Sequence, residues 1–262
     1  MNIQLAPKKA LVGASTQGIG LAIAKELADC GASVTLMARN EIKLREALKS
    51  LPVVTDSQEH QYIVADFSDF GSYQSIITNY FRDNTVDILV NNTNGPEPGK
   101  ALEMDMHSYQ QAFDLVFKVA CQTTLLALPY MIEKQKGRVI NVASVSIKEP
   151  VEGLALSNSM RTALMAWSKT LSTEVAPYNI TVNNIMTGYF DTERISSIIS
   201  REAEKSETSA SELRKRKEME VPMGRLGMPE EYGYLAAFIA SDYAAYLTGA
   251  NIPLDGGLTK SY

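Results

Sequence analysis

The stretch Ala10-Leu11-Val12-Gly13-Ala14-Ser15-Thr16-Gln17-Gly18-Ile19-Gly20 decides how the rest of the chain is read. Ala10–Gly13 has the composition of a short apolar strand, and helical spacing runs from Gly20 to Cys30, where Gly31 supplies a C-terminal stop. A strand, a glycine-bearing turn and a helix in this order let backbone N–H groups approach a phosphate at the helix N-terminus, where the dipole favours negative charge. Taken alone, the same turn is also an ordinary tight strand–helix connection.

Working outward, the pattern repeats. Strands are expected at Ser33–Ala38, Gln61–Ala65, Asp87–Asn91, Arg138–Ala143, Ile180–Ile185 and Asn251–Leu254. Helices are expected at Glu41–Ser50, Asp69–Asp83, Met106–Lys134 (ended by Lys136-Gly137), Leu156–Ala176 and Glu230–Ser241. Seven strands alternating with helices mean βαβ units, hence an α/β fold with one parallel sheet covered on both faces. Right-handed crossovers make the sheet doubly wound and place a ligand beyond the carboxyl ends of the strands, at the point where their order reverses. A single domain over residues 1–262 is expected, with a charged, lid-like insert at about 190–222. Within the insert, Arg194, Arg201, Lys205, Arg214, Lys215, Arg216 and Lys217 interleave with glutamates. Such a segment is either a solvated helical excursion or a mobile cover for the substrate cleft.

Composition narrows the function. A 45% hydrophobic, 21% charged chain has enough apolar surface for a sizeable core. A net charge of −5 argues against nucleic-acid or anionic-membrane partners. No apolar run approaches a membrane span and Met1–Lys9 has no signal-peptide core, so a cytoplasmic location is expected. Cys30 and Cys121 read as small buried hydrophobes in a reducing compartment. His60 and His107 have no acidic or cysteine neighbour at ligand spacing, and no metal site is expected.

The motifs together resemble those of the classical short-chain dehydrogenase/reductase family, particularly 3-oxoacyl-carrier-protein-reductase-like members. The resemblance spans nearly the whole chain. Gly13-Ala14-Ser15-Thr16-Gln17-Gly18-Ile19-Gly20 is similar to the family's Thr-Gly-x-x-x-Gly-Ile-Gly turn, with Gly13 in the Thr place and Ala14 in the first Gly place. A methyl there is tolerable only at negative φ. Asp66-Phe67 resembles the family's adenine-contacting pair. Asn91-Asn92-Thr93-Asn94 resembles its Asn-Asn-Ala-Gly, with Asn94 in a place suited to left-handed backbone. Thr181-Val182-Asn183, Gly188, Thr192, Gly224-Arg225-Leu226-Gly227, Pro229-Glu230-Glu231, Thr248-Gly249 and Asp255-Gly256-Gly257 continue the series. This implies a Rossmann-type, three-layer fold and a bound dinucleotide. An NAD site wants an acid at the end of the second strand. Arg39-Asn40 stands there instead, and a guanidinium suits a 2′-phosphate by charge and forked geometry, so NADP is expected over NAD.

The chemistry departs from the family. A Tyr phenol and a Lys four residues later are the expected proton-transfer pair, with a Ser polarising the substrate oxygen and an Asn supporting a water relay. Only Ser144 matches: Ser157 occupies the Tyr place, Arg161 the Lys place, and the Asn place falls at or near Val116. Ser157 is a poor general acid, and Arg161 cannot act as a base. Arg161 can still hold ribose hydroxyls and place positive charge beside a developing alkoxide. Three readings stay open. The chain transfers hydride between a nicotinamide and a small carbonyl or alcohol, with a proton from water, Tyr189 or Lys148; it binds NADP without catalysis, as a sensor or partner subunit; or it runs lyase or isomerase chemistry in the same cleft. For Tyr189 and Lys148 the bland alternatives are an apolar wall and a solvated loop charge. Met160, Leu164, Trp167 and Leu171 form an apolar stripe that is core or subunit interface. Ala163, Met165 and Ala166 make that helix apolar nearly all round, so a homo-oligomer, tetramer or dimer, is expected.

Overall fold

The computed structural model describes residues 2–204, 206 and 208–261. Lys205 of the charged insert, like Met1 ahead of the first strand, lies outside them. The strands are β1 (Lys9–Gly13), β2 (Ser33–Ala38), β3 (Gln61–Val64), β4 (Ile88–Asn91), β5 (Gly137–Val142), β6 (Ile180–Thr187) and β7 (Asn251–Leu254). They form one sheet of order β3-β2-β1-β4-β5-β6-β7, parallel throughout. The order reverses between β1 and β4, so the turns after these two strands open onto one crevice.

Helices α1 (Gly18–Asp29), α2 (Glu41–Lys49), α3 (Phe70–Asp83), α4 (Met106–Ala112), α5 (Val119–Lys134), α6 (Ala155–Val175), α7 (Glu193–Glu204), α8 (Ala210–Glu220) and α9 (Pro229–Ala240) connect them. Two buried cores follow from the alternation of side chains across each strand. Val12, Leu36, Val90, Ile140 and Ile185 face α1, α2 and α9. Leu11, Met37, Leu89, Val139 and Val182 face α3, α5 and α6. Capping carboxylates and amides define several helix starts: Asn40, Asp69 and Asp105 each accept a backbone N–H from the first turn of the helix that follows.

One row of this sheet is polar. Asn91, Asn141, Asn184 and Asn251 are register partners on four neighbouring strands. Their amides hydrogen-bond in one direction: Asn91 Nδ2 to Asn141 Oδ1 (2.8 Å), Asn141 Nδ2 to Asn184 Oδ1 (2.9 Å) and Asn184 Nδ2 to Asn251 Oδ1 (2.8 Å). Thr124 accepts a second bond from Asn91, and the Ser168 hydroxyl donates to Asn184.

The expected Met106–Lys134 helix is continuous but not uniform. A π-helical segment, Phe113–Lys118, joins α4 to α5, with Val119 N–H bonded back to the Asp114 carbonyl. The helix ends on Gln135 in the left-handed region (φ 56°), and Gly137 already belongs to β5. The expectation that no apolar run approaches a membrane span needs correcting. This helix is 29 residues long and holds an 18-residue window of mean hydropathy 1.5. Its Val119, Ala120, Thr123, Ala127, Leu128 and Met131 are buried inside the fold, which accounts for that hydropathy.

The charged insert folds as α7 and α8. Ile195 and Ile199 of α7 pack with Leu213 of α8 and Leu226 to make a small third core. Arg214 grips Asp191 through two bonds (3.0 and 2.6 Å) and reaches Glu218 at 3.0 Å. These contacts make the insert a packed pair of helices, of which α7 walls the cleft.

Candidate active site

The turn after β1 is closed against β4. A Cβ on Gly20 would lie 2.8 Å from Asn92 Nδ2 and collide with the Ala14 carbonyl, and one on Gly13 would strike the Asn92 carbonyl. Asn92 Nδ2 donates to the Gly13 carbonyl at 3.0 Å, fastening the two loops together at the switch point. The Ser15 hydroxyl is buried and accepts the Met37 N–H at 3.0 Å, so this side chain anchors the turn to β2 and does not line the cleft. Gly18 lies against the Thr192 methyl (3.3 Å from a Cβ placed there). The Thr192 hydroxyl in turn accepts the Ile195 N–H at 3.4 Å, at the start of α7. Ala14, Gln17, Gly18, Ile19 and Gly20 line the cleft, and the backbone cradle suits a dinucleotide phosphate.

Ala14 does not keep the negative φ its methyl prefers: φ is 44°. The turn's path is set by the Ser15–Met37 bond and by the close approach of Gly20, so the alanine carries the left-handed backbone. Such a residue costs about 1–2 kcal/mol. Ala14→Gly is therefore expected to raise stability by about 1 kcal/mol and the Tm by roughly 2–4 °C. A thermal melt showing no gain would mean the methyl makes contacts that offset the strain. The left-handed expectation for Asn94 is also wrong, because its φ is not positive.

Just past the end of β2 Arg39 is exposed, and Asn40 spends its side chain capping α2. The Asp66 carboxylate accepts the Ser68 N–H (2.9 Å) and hydroxyl (2.6 Å). Those bonds hold it below the usual carboxylate range, and Arg39 adds to the effect. The Phe67 ring packs on Tyr73 at 5.6 Å inside the core, so this residue has only backbone to offer a nucleotide. Lys43, overlooked in the sequence, donates to Gln17 Oε1 at 2.9 Å and brings a second cation to the Arg39 end. Its signal was the four-residue spacing from Arg39 across the start of α2. Gln17 also donates to Glu193 at 2.7 Å, linking the phosphate turn to α7.

The chemical end lies across the same cleft. Thr93, Asn94, Ser144, Ser157, Arg161, Gly188, Tyr189 and Thr192 all line it. Gly188 has no room for a side chain, since a Cβ would lie 2.6 Å from Asp255 Cα. Ser144 lies two residues past the end of β5, and its hydroxyl accepts the Ser146 N–H at 3.1 Å. Ser157 and Arg161, one turn apart on α6, share a helix face toward the cleft. Arg161 Nη1 donates to the Val142 carbonyl at 2.6 Å, and its guanidinium has no carboxylate partner among the described residues. Burial first, then the nearby Arg194 charge, lowers its pKa to about 10, so it stays protonated at neutral pH. Val116 sits in the π-helical segment, buried, and borders a small apolar recess with Arg161 and Val142. It brings no polar group to the site.

The two candidate side-chain proton donors differ in placement. Tyr189 does wall the cleft, but burial and then the Glu220 carboxylate push its phenol up to about 12. Lys217 approaches its ring at 5.4 Å, on the insert side. Lys148 is exposed and does not line the cleft. His60 is satisfied structurally: its Nδ1 accepts the Val34 N–H (3.1 Å) and its Nε2 lies 3.0 Å from the Pro52 carbonyl. Among the described residues no group of three or more His, Cys, Asp or Glu is arranged to hold a metal.

Residues 13–259 match the family model described as enoyl-(acyl carrier protein) reductase. The chain belongs to the short-chain dehydrogenase/reductase family. It is 30% identical to the NADPH-dependent reductase BacG of Bacillus subtilis, over 98% of this chain and all of that one. It is 32% identical to dehydrogenase/reductase SDR family member 4 of Caenorhabditis elegans, over 96% of this chain and 95% of the relative. Among solved structures, L-sorbose reductase of Gluconobacter frateurii, complexed with NADPH and L-sorbose, superimposes with a TM-score of 0.92 at 28% identity over the full length of both chains. These likenesses account for the doubly wound sheet and the glycine turn.

Proposed function

We propose that this short-chain dehydrogenase/reductase binds NADPH and reduces the carbonyl of a small molecule. The observation that carries the reading is the single cleft in which the phosphate-binding turn and Ser144, Ser157 and Arg161 meet. The glycine cradle fits a pyrophosphate, and Arg39 with Lys43 fits a ribose 2′-phosphate. When bound, NADPH supplies the hydride that goes to the carbonyl carbon. Ser144 and Ser157 donate hydrogen bonds to the carbonyl oxygen, and the Arg161 charge stabilises the alkoxide as it develops. The remaining proton comes from water entering the open cleft; the lining Tyr189 phenol, raised to about 12 by burial and the Glu220 carboxylate, is a weaker acid than a free phenol.

Turnover of NADPH with a panel of aldehydes and ketones, measured against Arg161→Ala, tests this. Binding of NADPH without turnover above that control would instead favour a non-catalytic NADPH-binding protein. For the cofactor itself, Arg39→Asp is expected to weaken NADPH binding at least tenfold while leaving NADH within about threefold. Equal weakening of both, read by cofactor fluorescence titration, would remove Arg39 from the 2′-phosphate. Self-association is proposed through α6, α5 and the π-helical segment before it: Leu125 is 56% exposed, Phe113 36%, and Ala163 and Ala166 are open on the outer face. This predicts a particle larger than a monomer in sedimentation.

A further inference from the structure

Gly95 has no conformational reason to be glycine, since its φ is not positive. Its reason is spatial. A Cβ there would lie 2.7 Å from Arg194 Cζ and 2.9 Å from Nη1, so the guanidinium is laid against the bare backbone of the β4 loop. Arg194 leaves the first turn of α7 and reaches across the cleft to that loop. Both residues line the same space as Ser144, Ser157 and Arg161.

Among the described residues neither cleft arginine has a carboxylate of its own. Asp191 is held by Arg214, and Glu193, the one acid lining the cleft, is bonded to Gln17. Arg161 has only the Val142 carbonyl. Two guanidiniums converging without a counter-charge, on a protein of net charge −5, form a local positive field that an anion would neutralise. The fork of a guanidinium matches the two oxygens of a carboxylate. The site must also leave the reacting carbonyl at Ser144 and Ser157, so the anion and the carbonyl belong on one short molecule.

We propose that the substrate is an oxo acid whose carboxylate is held by Arg194 over Gly95, with Arg161 set toward the carbonyl. This rests on the reductase reading above for the chemistry, but the anion site is separable from it. The hydride adds to the keto carbon, the carbonyl π pair becomes the alkoxide, and a water proton completes the hydroxy acid while NADPH becomes NADP.

The test uses the NADPH-loaded protein with acetoacetate, 2-oxobutanoate and benzoylformate, each beside its methyl ester. The expected result is that at least one acid is preferred over its ester by about 10–100-fold in kcat/KM. The preference should vanish in Arg194→Ala, and in Gly95→Ala, which keeps the charge but displaces it. Esters turned over as well as acids, or an acid preference that survives Arg194→Ala, would overturn the proposal. If Arg194→Ala weakens NADPH itself and leaves the acid preference intact, the guanidinium serves a cofactor phosphate and the proposal also falls. Calorimetric titration of benzoylformate against its ester reads the site without turnover. Acid binding that depends on Arg194, in the absence of any reduction, upholds the anion site and sinks the reductase reading. Equal or absent binding of both probes, with no acid preferred in turnover, sinks the anion site.

Discussion

Ser157→Tyr combined with Arg161→Lys is expected to raise NADPH-dependent carbonyl reduction by about 10²-fold, the usual worth of a positioned general acid. Ser157 is 8% exposed and faces a cleft with room for a phenol ring. A Lys one turn later on α6 would sit beside it, and a neighbouring ammonium lowers a phenol's pKa from about 10 toward neutrality. The pH profile supplies a second readout. With a phenol as the acid, the rate should fall as pH rises through the phenol's pKa, because only the protonated form donates. The native protein, drawing its proton from water, should lack that descending limb. Arg161→Lys alone should be slower than the native chain, since it removes the forked donor that holds the Val142 carbonyl without adding an acid. An unchanged rate in the double variant, with NADPH binding retained, would show that proton supply does not limit this site.

The largest effect on stability is expected at Asn141. Asn141→Leu, close in size, removes two of the three bonds of the asparagine row and leaves an Asn91 donor and an Asn184 acceptor short of a partner in a buried layer. Thr124 and Ser168 compensate in part. The expected loss is about 3 kcal/mol, or roughly 5–10 °C in Tm. Asn251→Ala, at the half-buried end of the row, removes one bond and should cost less than half as much. Urea denaturation of the two variants checks the ordering. Equal losses would mean the row does not act as a unit.

The contrast between these sites shows what a sequence makes legible. Strands β2 and β7 fall where composition places them, because a buried parallel strand needs a short apolar run with turn residues at its ends. The phosphate turn was legible for the same local reason. The asparagine row was not: each asparagine alone reads as a strand end or a loop residue. Only the register of strands whose asparagines lie 43 to 67 residues apart puts them in line. Ala14 shows a different limit, since its identity argues for negative φ while its neighbours impose the opposite sign. Gly95 and Arg194 lie almost a hundred positions apart, and neither hints at the other until the chain folds. The insert was read from its charges, yet the apolar stripe of Ile195 and Ile199 is what docks it.

The π-helical segment has a further consequence, one of phase. An ordinary helix turns about 100° per residue, and a π turn takes in one residue more than the α repeat allows. Across Phe113–Lys118 the stripe of inward-facing side chains therefore slips round the axis. α4 lies against α6, where Ser157 and Arg161 are displayed, whereas α5 addresses α3 and the sheet. A uniform helix could not turn its favoured side to both neighbours. Deleting one residue within this segment would restore a regular pitch and rotate α4 away from α6 by about a quarter turn. In this chain the width of a single helical turn sets the aim of one wall of the cleft.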